Sequence, residues 1–250
     1  MTVSRDEPRR PGEKRPGLRE LGPLNYAVER IGARVQGRKS LGVFATIGRV
    51  RRMLPPWLAY SATMMPFGAL GRAESELVIL RVAALKGNSG GDYEMDHHTA
   101  LGKKAGLIEG DIAAATRIDE GWEPGRHGFH GRRGAMLDVA DEIVQFGDVS
   151  DPAWGRLASF LSDRECVALV MLVTNYAGLA TALTVLRTPV DERRGPGNPV
   201  TASQILASVV DGQRIDWLSM ALCIDQVDLE SMRNFSTSLA DALSSGSKSR

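Results

Sequence analysis

The sequence is poor in cysteine. Cys166 and Cys223 are the only two, far apart and in no CxxC spacing. A disulfide framework, a zinc knuckle and a dithiol redox pair all lack the residues they need. This usage fits a reducing compartment, and a cytoplasmic location is expected. Aromatic residues are scarce as well, at 6%, so the core must be built mostly from Leu, Val, Ala, Ile and Met. No sign of charge dominates, because 31 Lys and Arg face 30 Asp and Glu over 250 residues. Proteins that bind nucleic acid through phosphates carry a basic excess, so that partner is not expected. The first twenty residues contain no apolar run, so no secretory signal is expected there. They hold three prolines and ten charged residues, and residues 1–23 are expected to form a disordered arm.

A hydrophobic share of 43% is that of a globular chain. One run, VALVMLVTNYAGLATALTVL at 167–186, has twenty residues and no charge. It is long enough to span a bilayer. It contains Asn175, Tyr176, Gly178 and three threonines, and no second such run accompanies it. The expectation is a helix buried on all sides, in the core or at a subunit interface, with no membrane partner.

Strand signals are sparse and helix signals dense, so an all-α fold is expected. Two amphipathic segments fit residues 30–64, broken at Pro55-Pro56. Residues 72–86 are rich in helix formers, with Arg81 inside an apolar run. GNSGG at 87–91 reads as a breaker and 92–105 as the next helix, with Gly106 after its end. A short helix fits 108–118, a Gly-rich loop with His127 and His130 fits 119–134, and a helix fits 135–146. Asp151 before Pro152 reads as an N-cap. Ser162 and Glu165 form a capping box that opens the long apolar helix. A linker at 188–200 precedes short helices near the end. The expected organisation is an arm at 1–23, a helical domain at 24–191 and an extension at 192–250. A weak echo pairs Glu76-Leu-Val-Ile-Leu with Glu165-Cys-Val-Ala-Leu, and Asp92-Tyr93 with Asn175-Tyr176. It suggests a helical-hairpin unit used twice.

One segment carries chemistry. In a helix, positions 94, 98, 101 and 105 share a face. Leu101 and Ala105 make that face apolar, so Glu94 and His98 point where core residues belong. A carboxylate and an imidazole there are costly unless paired or used. In an antiparallel hairpin, Glu76 on the preceding helix would approach His98. Desolvation would raise the carboxylate pKa values and the charged imidazole would oppose this. Such a cluster suits proton transfer near neutral pH. Tyr93 would orient a substrate oxygen, and Arg81 would pair with a carboxylate of protein or ligand. His97 is a further candidate for holding substrate, although its place about 100° round the helix favours the exposed side. Two alternatives stand beside this reading. The Glu–His cluster is purely structural, or Glu94 and His98 hold a metal with ligands added from elsewhere.

The run ESELVILRVAALKGNSGGDYEMDHHTALGKKAGL at 74–107 resembles the carboxymuconolactone decarboxylase family, whose fold is shared with alkylhydroperoxidase-D-like proteins. The family pattern is Glu-Leu-x-Ile-Leu-Arg-Val, a Gly turn, Tyr-Glu-(Trp)-x-x-His, then Ala-Gly-Leu. VSDPAW and the stretch from Leu161 to Asp191 look like the family's C-terminal half, so the resemblance spans residues 40–191. It implies an all-α fold of antiparallel helix hairpins that assembles as a dimer, trimer or hexamer. The peroxidase branch uses Glu, CxxC and His. Glu76 and His98 match its Glu and His, but Gly91 and Glu94 stand where its cysteines would be, so thiol peroxidase activity is not expected. The decarboxylase-like branch carries Tyr-Glu, as Tyr93-Glu94 does here. The turn is longer than the family's, and Met95 replaces a common Trp.

The resemblance implies a cofactor-independent enzyme acting on a small lactone or keto acid. His98 would donate or shuttle the proton, Glu76 would set its protonation state, and Glu94 would be the second acid or base. A related lyase, isomerase or hydrolase would use the same set. A non-catalytic oligomeric ligand-binding or scaffold protein on the same fold is the reading from another class.

Overall fold

The computed structural model describes residues 9–65, 67–118, 125 and 127–195. The fold is all-α. A 3-10 turn at Pro11–Glu13 precedes α1 (Leu18–Val35), α2 (Gly42–Gly48), α3 (Leu54–Met64), α4 (Arg72–Lys86), α5 (Ser89–Lys104), α6 (Glu109–Thr116), α7 (Gly131–Phe146), α8 (Asp151–Ala158) and α9 (Asp163–Leu186). The described residues divide into two compact units, one drawn from those within 9–15 and 60–190 and the other from 16–59 and 191–195. Expectations for residues 1–8, 119–124 and 196–250 lie outside the described residues.

In the second unit, α1 packs on α2, and Val28 of α1 clusters with Leu54 and Leu58 of α3, with Phe44 and Trp57 meeting edge to face. Three of its buried polar side chains are matched. Glu29 accepts from the Leu41 N–H at 2.9 Å, and Asn25 donates to the carbonyls of Gly48 and Arg51. The Asp191 carboxylate accepts from the Gly42 N–H at the start of α2. Pro55 and Pro56 do not separate two helices. They sit in the first turn of α3, where a missing N–H costs nothing and the fixed φ suits a helix start.

The first unit is organised around α4, which packs against α5, α6, α7 and α9. Nine successive residues, Ser75 to Ala83, are buried. The helix buried all round is thus α4 and not α9, which is uncharged from Cys166 onward. Charge hides this in the sequence. Glu74, Glu76 and Arg81 lie on α4, and each meets an opposite charge: Arg132, His98 and Asp141. Paired charges tolerate burial where single ones do not. In contrast, α9 buries one side only. Val167, Met171 and Val185 on its outer side are 64%, 42% and 53% exposed. The expected all-round burial is therefore not met within the chain. The helix alone among those described is long and apolar enough to cross a membrane.

Other boundaries shift for identifiable reasons. Helix α5 starts at Ser89, so the glycines read as a breaker lie inside it, and Asn88 caps it by accepting from the Gly91 N–H at 2.9 Å. A Cβ on Gly90 would run into the Ala180 carbonyl, and one on Gly91 would come within 2.5 Å of the Ala83 carbonyl. These glycines serve close helix packing, which sequence alone cannot distinguish from chain breaking. Helix α7 starts at Gly131, four residues early. The N-cap of α8 is Ser150 and not Asp151. In the capping box of α9 the Glu165 carboxylate accepts from the Ser162 N–H and hydroxyl. The echo of Glu76–Tyr93 in Glu165–Tyr176 does not mark a repeated hairpin, since the second copy lies in one continuous helix. Residues 9–15, expected in a disordered arm, dock on the end of α9. Arg10 donates to the Val185 carbonyl, and Glu13 pairs with Arg187 at 3.0 Å. His127 is not solvated. It is buried, its Nδ1 accepts from the Phe129 N–H, and its Nε2–H therefore donates to Asp138 at 3.0 Å. His130 is exposed.

Candidate active site

Three helices supply the site. Glu76 comes from α4, Glu94 and His98 from consecutive turns of α5, and Tyr176 from α9. Two glycines help fix the spacing. Gly91 lets α5 close on the end of α4. Gly102, one turn beyond His98, leaves room beside Leu80, Leu107 and the Glu76 stem, where a Cβ would press.

His98 is held on both sides. Its Nδ1 lies 2.7 Å from Glu76 Oε2, and its Nε2 lies 3.3 Å from Glu94 Oε2. The other Glu76 oxygen, Oε1, lies 2.7 Å from Arg72 Nη2, one turn back on α4. Glu76, Glu94 and His98 are all buried. Burial alone would lower the imidazole pKa, but the charge and hydrogen bond of Glu76, followed by those of Glu94, outweigh it and raise the pKa to about 9. At neutral pH His98 is therefore an imidazolium. It donates through both nitrogens, firmly to Glu76 and loosely to Glu94.

This protonation has a thermodynamic consequence. Below the ordinary imidazole value of 6.5, folded and unfolded chains both hold the proton, and the ion pairs contribute in full. Between 6.5 and about 9 only the folded chain holds it. Above that range the contribution is gone. Stability is expected to fall as pH rises through this window, by on the order of 3 kcal/mol from His98 alone. Unfolding free energies across the window, for wild type and His98→Gln, check this. The wild-type curve should decline more steeply than that of the variant, and parallel curves would contradict the assignment.

The structure brings Glu76, Glu94 and His98 together as the sequence suggests. It places the other candidates differently. Arg81 is fully buried, and its carboxylate partner is Asp141 on α7 at 2.6 and 3.0 Å. It also donates to the carbonyls of Ala115 and Arg117. Its guanidinium ties α4, α6 and α7 together and does not wait for a ligand. His97, expected on the exposed side, is buried, and its ring lies 4.7 Å from that of Tyr93. The two form a pair on the stripe next to Glu94 and His98, because α5 packs on more than one neighbour. Among the described residues no group of three or more His, Cys, Asp or Glu side chains is arranged to hold a metal ion.

Two residues at the site were not singled out from the sequence. Arg72 had a signal, since it precedes Glu76 by one helical turn. Tyr176 had only the echo that aligns it with Tyr93. Its ring stands edge-on to His98, with centroids 5.1 Å apart at 88°. Burial first, then the charges of Glu94 and Glu76, push its phenol pKa well above the ordinary value, with Arg72 opposing.

The model of the carboxymuconolactone decarboxylase family matches residues 53–123. That segment contains α4, α5 and α6 with Glu76, Glu94 and His98. No curated protein sequence and no solved structure matches the chain.

Proposed function

We propose that this chain, whose residues 53–123 match the model of the carboxymuconolactone decarboxylase family, is a cofactor-independent acid–base enzyme that decarboxylates a small lactone acid. The observation that carries this reading is the buried His98 ring held between the Glu76 and Glu94 carboxylates. Decarboxylation needs a proton donor for carbon, and a histidine protonated at neutral pH is one. In the proposed step the bond from carbon to the carboxylate breaks and CO₂ leaves. The electron pair passes into the lactone as an enolate, and His98 then protonates carbon. The proton comes from Nε2, because its 3.3 Å bond to Glu94 is longer than the 2.7 Å bond of Nδ1 to Glu76. Glu76 holds the ring, and after each turnover a proton from solvent restores the Nε2–H beside Glu94. Cys166 is buried, and burial raises its thiol pKa, which leaves no activated thiolate for peroxidase chemistry among the described residues. The test is turnover of 4-carboxymuconolactone by purified protein, read as loss of substrate and release of CO₂. A folded wild type without turnover would discard this substrate.

A second reading is favoured by one fact: both ring nitrogens of His98 already have partners. A closed network of that kind also suits a non-catalytic ligand-binding or scaffold protein.

In either case we infer a homo-oligomer in the cytoplasm. Val167, Met171, Thr174, Gly178, Thr181 and Val185 are exposed on α9 at alternating intervals of four and three residues. This is the spacing of a helix face that packs on another helix. An uncharged strip of this length on one chain is suited to a second copy. Light scattering should give a multiple of the 27.0 kDa chain mass. Met171→Glu, at an exposed position, should shift the mass toward one chain without loss of helix. A monomeric wild type at micromolar concentration would remove this inference.

A further inference from the structure

The site contains a hydroxyl that the His98–carboxylate cluster does not use. Tyr176 reaches the site from α9, which packs on both α4 and α5. Its ring stands edge-on to His98 at 5.1 Å. The charged groups that bear on its phenol are Glu94, Glu76 and Arg72, so the hydroxyl shares the surroundings of the reactive cluster. The residue as a whole is half-buried. Among the described residues its hydroxyl has no hydrogen-bond partner. Tyr93, the tyrosine favoured by the sequence, is 2% exposed and stacked on His97.

We propose that Tyr176 is the substrate-facing donor of this site and binds the carbonyl oxygen on which charge develops. The proposal rests on the decarboxylase reading and adds a residue to it. The chemistry requires two donors at once. His98 must reach the carbon that loses CO₂. The electron pair released there moves onto the lactone carbonyl oxygen, which becomes an enolate and needs a hydrogen bond in a site with little water. His98 cannot serve both atoms. Glu76 and Glu94 are engaged with the two nitrogens of His98. The Tyr176 O–H remains. Its raised pKa keeps it protonated, so it donates a hydrogen bond without giving up its proton. The proton that ends on carbon comes from His98, and solvent later replaces it. The ligand class follows: a small acid with a carbonyl oxygen conjugated to the carbon that bears the carboxylate.

The test is Tyr176→Phe, which keeps the ring against His98 and removes only the oxygen. Turnover of 4-carboxymuconolactone is measured for wild type, Tyr176→Phe and His98→Gln, with a melting curve for each. The expected result is a fall in kcat of about 100-fold for Tyr176→Phe, with KM changed far less and melting unchanged. A Tyr176→Phe enzyme with wild-type kcat overturns the proposal while leaving the His98 reading intact. If wild type itself does not turn over, the decarboxylase reading fails, and Tyr176 is judged separately. Protein labelled with ¹³C at the tyrosine ζ carbon is titrated with the lactone acid and with acetate. A saturable shift of the signal that is lost in Tyr176→Phe supports a ligand-facing hydroxyl. A signal that neither compound moves overturns it.

Discussion

Replacing Asp141 with Ala is expected to remove about 3–5 kcal/mol of stability, the largest loss from a single residue that takes no part in the proposed chemistry. Arg81 is fully buried, and both of its bonds to Asp141 would vanish. The guanidinium would keep the carbonyls of Ala115 and Arg117 but no counter-charge. The Gly125 N–H would lose its acceptor as well. Domains have roughly 5–15 kcal/mol in all, so the variant would sit close to unfolding. Denaturant titration of the variant reads this directly. The pair Arg81→Met with Asp141→Leu should recover most of the loss, because it removes both charges and leaves neither stranded. If Asp141→Ala alone costs less than about 1 kcal/mol, the pair does not hold α4 to α7, and Arg81 becomes available again as a ligand-binding residue.

The same pair explains what the sequence could and could not convey. Helix positions 72–86 and 163–186 are legible because helix formers and caps act locally. The contact of Glu76 with His98 is legible too. A hairpin joined by a short turn leaves few places for a polar residue on an apolar stripe. The role of Arg81 is not legible, since its partner lies sixty residues away on α7. The burial of His97 and the partial exposure of α9 are likewise decided by which helices arrive from elsewhere. Tyr176 belongs to this class. Nothing local marks it, and it reaches His98 only because Gly90 lets α5 close on α9. The family match covers α3 to α6 and so includes the hairpin where local pattern and chemistry coincide.

His98→Ala does not separate a catalytic from a structural cluster, although it is the obvious variant. In both cases Glu76 and Glu94 would face each other without the imidazolium, and stability should fall by about 3–5 kcal/mol. His98→Gln does separate them. The amide can donate to one carboxylate and fills most of the ring's space, so a good part of the stability should return. It carries no transferable proton. If His98 protonates carbon, turnover of 4-carboxymuconolactone should fall by about 10²–10⁴-fold in the Gln variant, while its melting lies well above that of the Ala variant. The two readings then diverge in one comparison. A Gln variant that melts high and stays inactive assigns the proton to His98. One that melts high and retains turnover makes the Glu76–His98–Glu94 cluster a structural brace and moves the chemistry to another group. The comparison works because the two nitrogens of His98 are held unequally. The 2.7 Å bond to Glu76 is the one a Gln side chain can imitate, and the looser 3.3 Å contact with Glu94 is the one a substrate would replace.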